Sequence, residues 1–528
     1  MSTALIHSRA LIGLDAPSIS VEVHLPSGLP GFTCTGINGT ELRDRVKSAI
    51  QNSAFEFPAG RIVVNLGPAE LPKSGGRYDL AIAAGILVAS EQLPAAQLNG
   101  LDLVGELSLF GDVRPVRGVL SAARATQAAG RTLICPEANQ TEFTDGNARA
   151  IGLIGHLNGL AHTQALAIPR CPTPSPGWRS QDPLSQVIGQ EQAKRALTIA
   201  AAGGHHMLMS GPPGAGKTML AERLRDLLPP LGIVDATEVA EIYSISGLSP
   251  PQQGSAPFRS PHHGASAAAI TGGGSPPAPG EVSHAHRGVL FLDEMPEFRR
   301  DVIEALREPL ESGEIRISRR GSAVDYPARF QLVAAMNPCP VGLACQPASC
   351  RCAPDQAQRY RNRISSPVLD RIDLHINIQA VPMSQLVDPQ SAPQLATGSA
   401  KDDRDIQPAP YLRAIATARA AQYQRSGCLN AHLSSAETER FCRYESGAAK
   451  LLKHSAERLG LSARGYFRAL RVARTISDLD RASQRLDEVG VDQTSAASPT
   501  LAAHALAPTP LNEQAVIEAL SYRPLSGP

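Results

Sequence analysis

Residues 206–224 read HMLMSGPPGAGKTMLAERL, an apolar run, a loop of the form G-x-x-x-x-G-K-T, and a segment of helical character. A loop that starts on a buried strand and ends in a helix belongs to a parallel sheet covered by helices. Gly211, Gly214 and Gly216, with Pro212, Pro213 and Ala215 between them, let backbone N–H groups converge on one anion. The helix that follows points its positive end at the same place. Lys217 is then placed to meet the β and γ charges of ATP, and the Thr218 hydroxyl is a ligand for Mg²⁺. A glycine-rich turn that binds nothing is the alternative, and the full strand, loop and helix context disfavours it.

Two further apolar runs end in polar groups. GVLFLDE closes on Asp293 and Glu294, and FQLVAAMNP closes on Asn337. Strand ends of a doubly wound sheet face its ligand crevice, so Asp293 is expected to hold Mg²⁺, Glu294 to polarise the attacking water and Asn337 to orient it. Without the P-loop upstream, an acidic pair after a strand reads as a solvated loop or helix cap. A third stretch, GEIRISRRGSAVDYPARF, has β-like runs on either side of Gly321 and predicts a hairpin carrying Arg316, Arg319 and Arg320.

Pro and Gly punctuation divides the 528 residues into blocks. Residues 1–170 mix β-rich runs such as GRIVVNLGP with helical ones such as DLAIAAGILVAS, and a Pro-rich connector follows. Residues 182–380 hold the P-loop sheet, 382–410 read as a linker, and 411–523 are mostly helical, interrupted by a low-complexity stretch at 487–510. Fifty Lys+Arg against 49 Asp+Glu exclude a uniformly basic nucleic-acid coat, so any DNA contact is local. The window 411–475 is nevertheless basic, with 12 Lys+Arg against 4 Asp+Glu, and DNA backbone binding or charge balance in three dimensions would each account for it. No apolar run reaches the roughly 18 residues of a membrane span, and the first ten residues do not resemble a signal peptide, so a cytoplasmic location without membrane contact is expected. Of nine cysteines, Cys339, Cys345, Cys350 and Cys352 crowd together, a set that could close around one Zn²⁺ or stay as reduced loop thiols. The histidine pairs 205–206 and 262–263 read as packing or polar loop residues.

GPPGAGKT, GVLFLDE, Asn337, SSPVLDRIDLH and LSARGYFRALRVART resemble the Walker A, Walker B, sensor 1, arginine-finger and sensor 2 elements of AAA+ ATPases. VIGQEQAKRALTIAAAGGHHMLMSGPPGAGKTML and APFRSPHHGASAAAITGGGSPPAPGEVSHAHRGVLFLDEMPEF are similar to the magnesium-chelatase-like ComM/YifB family. The resemblance implies an α/β fold with an AAA+ P-loop core and a helical lid. It implies Arg371 as a finger reaching a neighbouring subunit's ATP, and Arg464 as sensor 2 with Arg468 as its rival. It implies that the arginine hairpin, and an insert that begins at Phe258, line the pore of a homo-hexamer on DNA. Family members usually read C-P-C-G where this chain has Val341 in place of the second cysteine.

AELPKSGGRYDLAIAAGILVAS and VGELSLFGDVRPVRGVLSAARA resemble the Lon-protease-like α+β fold. Arg77 takes the place of its nucleophile and Leu120 that of its lysine, which implies a non-proteolytic scaffold. The activity implied is ATP-driven translocation on branched, single- or double-stranded DNA, promoting branch migration in homologous recombination during natural transformation. A protein-remodelling ATPase like the magnesium-chelatase I subunit is the alternative, and the arginine hairpin favours DNA.

Overall fold

The computed structural model describes all residues except 1, 38, 74, 144–150, 167–181, 253, 320, 321, 341–351, 353, 382–407, 460, 490–508 and 524–528. The first 166 residues build a mixed seven-stranded sheet in the order Gly31–Thr35, Arg61–Gly67, Ser18–Leu25, Ser2–Arg9, Leu101–Leu103, Thr132–Pro136, Ile151–Ile154. The strands around Ser18–Leu25 pair antiparallel, and the remaining neighbours pair parallel. The helix Asp79–Ala89 is apolar on all sides because it is buried on all sides. A Cβ at Gly85 would lie 2.6 Å from Val23, so glycine is what allows the helix to press onto the sheet. Arg77 is buried and donates to the Arg117 carbonyl, and Leu120 is a core residue. Neither position offers a nucleophile or its base.

The second unit is a five-stranded, fully parallel sheet in the order Phe258–Arg259, Val289–Leu292, Gln331–Met336, Met207–Ser210, Leu374–Asn377. The strands VLFL and QLVAAM are buried at every position, as expected of a sheet covered on both faces. Phe258 and Arg259 were expected to open a pore insert and instead form the edge strand, because Val289 donates to the Pro257 carbonyl and draws the segment into the sheet.

The C-terminal helices Pro410–Ser426, Ser435–Phe441, Ser446–Leu459, Ala463–Val489 and Glu513–Ser521 follow. They share one hydrophobic core with the P-loop side of the sheet, where Leu412, Ile415, Leu470 and Ile476 meet Ala196, Leu197 and Leu220. The long helix continues to Val489, past residue 487 where low complexity predicts its loss. Among the described residues no helix is long and apolar enough to cross a membrane.

A buried polar network ties these helices to the sheet. Asp373 accepts from Arg468 at 2.7 Å and meets His205 at 3.1 Å, and His205 reaches Thr475 on the long helix at 2.8 Å. Burial alone would push the Asp373 carboxyl up, but Arg468 and His205 outweigh it and hold it well below the usual range. Removing one member strands a buried charge. Asp373→Ala is therefore expected to cost about 3–5 kcal/mol, read as a lowered melting temperature, with Asp373→Asn milder.

Candidate active site

The P-loop leaves the sheet at Ser210 and enters the helix Lys217–Leu227. A Cβ at Gly211 would lie 2.5 Å from the Ile378 carbonyl oxygen, and Gly216 sits at φ +85°, so both positions require glycine. The Lys217 side chain is buried and folds back over the loop. Its Nζ donates to the Gly211 carbonyl at 2.7 Å, the Pro212 carbonyl at 3.0 Å and Asn337 Oδ1 at 3.0 Å. Burial lowers its pKa, while Asp293 and Glu294 pull it back up. Three neutral acceptors thus hold an ammonium that a phosphate can take over.

The strand order puts Asp293, Asn337 and the P-loop at the same carboxyl edge, because each follows one of three adjacent parallel strands. Thr218 Oγ1 lies 3.2 Å from Asp293 Oδ2. One hydroxyl and one carboxylate side by side are a donor set that suits Mg²⁺, and Thr218 and Asp293 would be the residues to hold it. Glu294 has φ +50°, a left-handed backbone that turns its half-exposed carboxylate out of the strand line. His263 Nδ1 stands 3.7 Å from Glu294 Oε2, and its ring packs against His262 with centroids 4.1 Å apart and planes tilted by 35°. A histidine beside the expected base was missed in the sequence, where HH within a loop carries no signal of what it faces.

The expected finger lies at the other edge. Asp373 and Leu374 donate to the His206 carbonyl, before the P-loop strand begins, whereas Ile378 donates to Ser210 at its end. Arg371 precedes Asp373, so it is separated from its own P-loop by the length of the strand, about 13 Å. Its guanidinium is buried and meets Glu311 Oε1 at 2.6 Å, and Arg464 meets the same oxygen at 2.9 Å. Of the two sensor 2 candidates, Arg464 is half-exposed, while Arg468 is buried and committed to Asp373 and the Arg371 carbonyl.

The hairpin forms as Glu314–Arg319 paired with Ser322–Pro327. Arg316 is 65% exposed and lies 3.5 Å from Asp325 across the strands. The Arg319 side chain and Arg320 lie outside the described residues. The basic excess of 411–475 is in part a product of where the window ends. Arg425 and Arg474 are buried against Asp478, and Arg468 against Asp373, both carboxylates outside the window. These arginines hold the fold together and are not available to DNA.

Cys339 is buried and Cys352 half-buried, while Cys345 and Cys350 lie outside the described residues. Among the described residues no group of three or more His, Cys, Asp or Glu is arranged to hold a metal.

Three family models match the chain: magnesium chelatase subunit ChlI over residues 183–386, subunit ChlI of Mg-chelatase over 21–139, and the ChlI C-terminal region over 409–494. The chain is 47% identical to the uncharacterized protein YifB of Escherichia coli over 490 residues, 91% of this chain and 94% of the relative. It is 45% identical to the competence protein ComM of Haemophilus influenzae over 497 residues, 92% and 95% of the two chains. A shorter match, 30% identity over 175 residues, reaches the magnesium-chelatase 38 kDa subunit of Cereibacter sphaeroides and covers 30% of this chain and 52% of that one.

Proposed function

The chain belongs, with YifB and ComM, to the family built on magnesium-chelatase ChlI domains, and from that membership we propose that it is a homo-hexameric ATPase that moves along DNA. The process it serves in this reading is branch migration in homologous recombination during natural transformation, and similarity to a competence protein supports it. The observation that carries the motor reading is the split of the ATPase residues between two edges of one sheet. Lys217, Asp293, Glu294 and Asn337 gather at the carboxyl edge, and Arg371 and Arg464 at the other. Neither half is complete alone, and a ring that sets one edge against the next subunit's other edge completes both.

Within such a site the P-loop amides and Lys217 bind the triphosphate. Glu294 takes the proton of the attacking water, Asn337 orients that water, and the neighbour's Arg371 and Arg464 meet the charge that develops. Thr218 and Asp293 would hold Mg²⁺, which when bound neutralises phosphate charge. Residues 1–170 serve as a non-proteolytic, Lon-like scaffold, 182–380 as the motor and 411–523 as its lid.

Glu294→Gln keeps the shape of the side chain and loses the base. It is expected to bind ATP normally and to hydrolyse about 10²–10⁴-fold more slowly, measured as single-turnover phosphate release. DNA enters through the hairpin, where Arg316, Arg319 and Arg320 contact phosphates. Arg316→Ala is expected to weaken DNA binding and to flatten the slope of log K against log salt by roughly 0.7–0.9, one phosphate contact.

The magnesium-chelatase match favours a second reading, a remodelling ATPase whose partner is a protein. ATP hydrolysis measured with and without branched DNA separates the two. Stimulation by DNA supports the translocase, and turnover indifferent to DNA supports the remodeller.

A further inference from the structure

The residue that holds both interface arginines is itself unassigned. Glu311 sits in the last turn of the helix Arg307–Ser312, and a single oxygen of its carboxylate meets Arg371 at 2.6 Å and Arg464 at 2.9 Å. Arg371 is otherwise poorly satisfied. Its Nη1 reaches the Pro367 carbonyl, and its buried Nε has no hydrogen-bond partner among the described residues. A guanidinium offers five donors in a planar fork that suits a phosphate, so one carboxylate oxygen is a small substitute. Glu311 itself is half-exposed and has water as an alternative partner. The pair is thus asymmetric, and a triphosphate arriving from outside can displace the carboxylate.

Glu311 is also joined rigidly to the hairpin. Gly313, at φ +73°, joins the helix to the strand that starts at Glu314, and its carbonyl accepts from Ala328, just past the returning strand, at 2.8 Å. Ser312 Oγ lies 3.0 Å from the Glu308 carbonyl and 2.9 Å from the Glu314 carbonyl, either of which can take its one O–H, and accepts from the Glu314 amide at 3.1 Å. The Arg316 amide points at Glu308 Oε1 at 3.4 Å. With the turn stitched on both sides, the hairpin cannot tilt without carrying the end of the helix, and Glu311 with it.

We infer that Glu311 is a positioning residue for the arginine finger: it occupies Arg371 and Arg464 in place of the neighbour's phosphates and releases them when the arginine-bearing hairpin engages a polyanion. The inference rests on the reading of Arg371 as a finger acting across a subunit interface. Loading the hairpin draws Glu311 away, and hydrolysis next door speeds up as the two arginines become free.

The test uses the full-length protein. Glu311→Gln keeps the length and removes the charge, so ATP turnover without DNA should rise at least about fivefold, the lower end of typical coupling between sites. The gain should lie in kcat with KM for ATP little changed, stimulation by added duplex DNA should shrink by the same factor, and the gain should vanish in Glu311→Gln combined with Arg371→Ala. A merely structural ion pair would lower the melting temperature and leave the DNA dependence alone. Should Glu311→Gln be unstable, Glu311→Asp, too short to reach both arginines, is expected to give the same rise. Turnover at or below wild type in a folded Glu311 variant, with Arg371→Ala impaired, overturns the inference and spares the finger. Wild-type turnover in Arg371→Ala alone removes the finger reading and this inference together.

Discussion

Lys217→Ala is expected to abolish productive ATP binding and to reduce hydrolysis by more than about 10³-fold, because it removes the one cation that the P-loop places against the β and γ phosphates. The fold should survive. Among the described residues Lys217 Nζ bonds to two backbone carbonyls and the Asn337 amide oxygen, and none of these is a buried charge left unpaired by truncation. Melting temperature without nucleotide should therefore stay near wild type, while the increase on adding ATP should disappear. Retention of both the thermal shift and turnover would remove the nucleotide site from residues 211–218.

Arg371→Ala is expected to bind ATP in every subunit and to hydrolyse it about 10³–10⁵-fold more slowly, the usual value of an arginine finger. Its position at the opposite edge of the sheet makes the test sharper than loss of activity alone. A Lys217→Ala subunit retains its finger and an Arg371→Ala subunit retains its P-loop. In a mixed ring, an interface that pairs the second subunit's nucleotide with the first subunit's Arg371 is intact. Mixing the two inactive proteins should restore a fraction of turnover that follows the statistics of mixed interfaces. Confirmed mixed rings without any recovered turnover would mean that Arg371 acts within its own subunit or only holds Glu311.

The fold of the nucleotide site was legible because each of its parts is local. GPPGAGKT, FLDE and AMNP are short runs in which a strand and the polar residue ending it are neighbours in the chain. The periodicity that marks the strand therefore also places the residue. The hairpin was legible for the same reason, with its register of Glu314 against Pro327 and Arg319 against Ser322 centred on residues 320 and 321. The basic window of the C-terminal helices misled because net charge over a segment ignores partners beyond its ends. Asp478 lies just outside that window and Asp373 far outside it, and between them they bury Arg425, Arg474 and Arg468.

The amino-acid sequence by itself determined that the P-loop, Asp293 and Asn337 follow strands of a helix-covered parallel sheet, and so which residues are candidates for phosphate and magnesium. Only the tertiary structure decided which edge of that sheet each residue occupies and what faces it. Parallel pairing of Leu374–Asn377 with Met207–Ser210 placed Arg371, which precedes its strand, at the end away from its own P-loop, and packing of the long C-terminal helix brought Arg464 to Glu311 and Arg468 to Asp373. Chain folding set His263 beside Glu294. Such pairs join residues far apart along the chain, and their meeting depends on how whole elements stack, which no local pattern of hydrophobic and polar residues encodes.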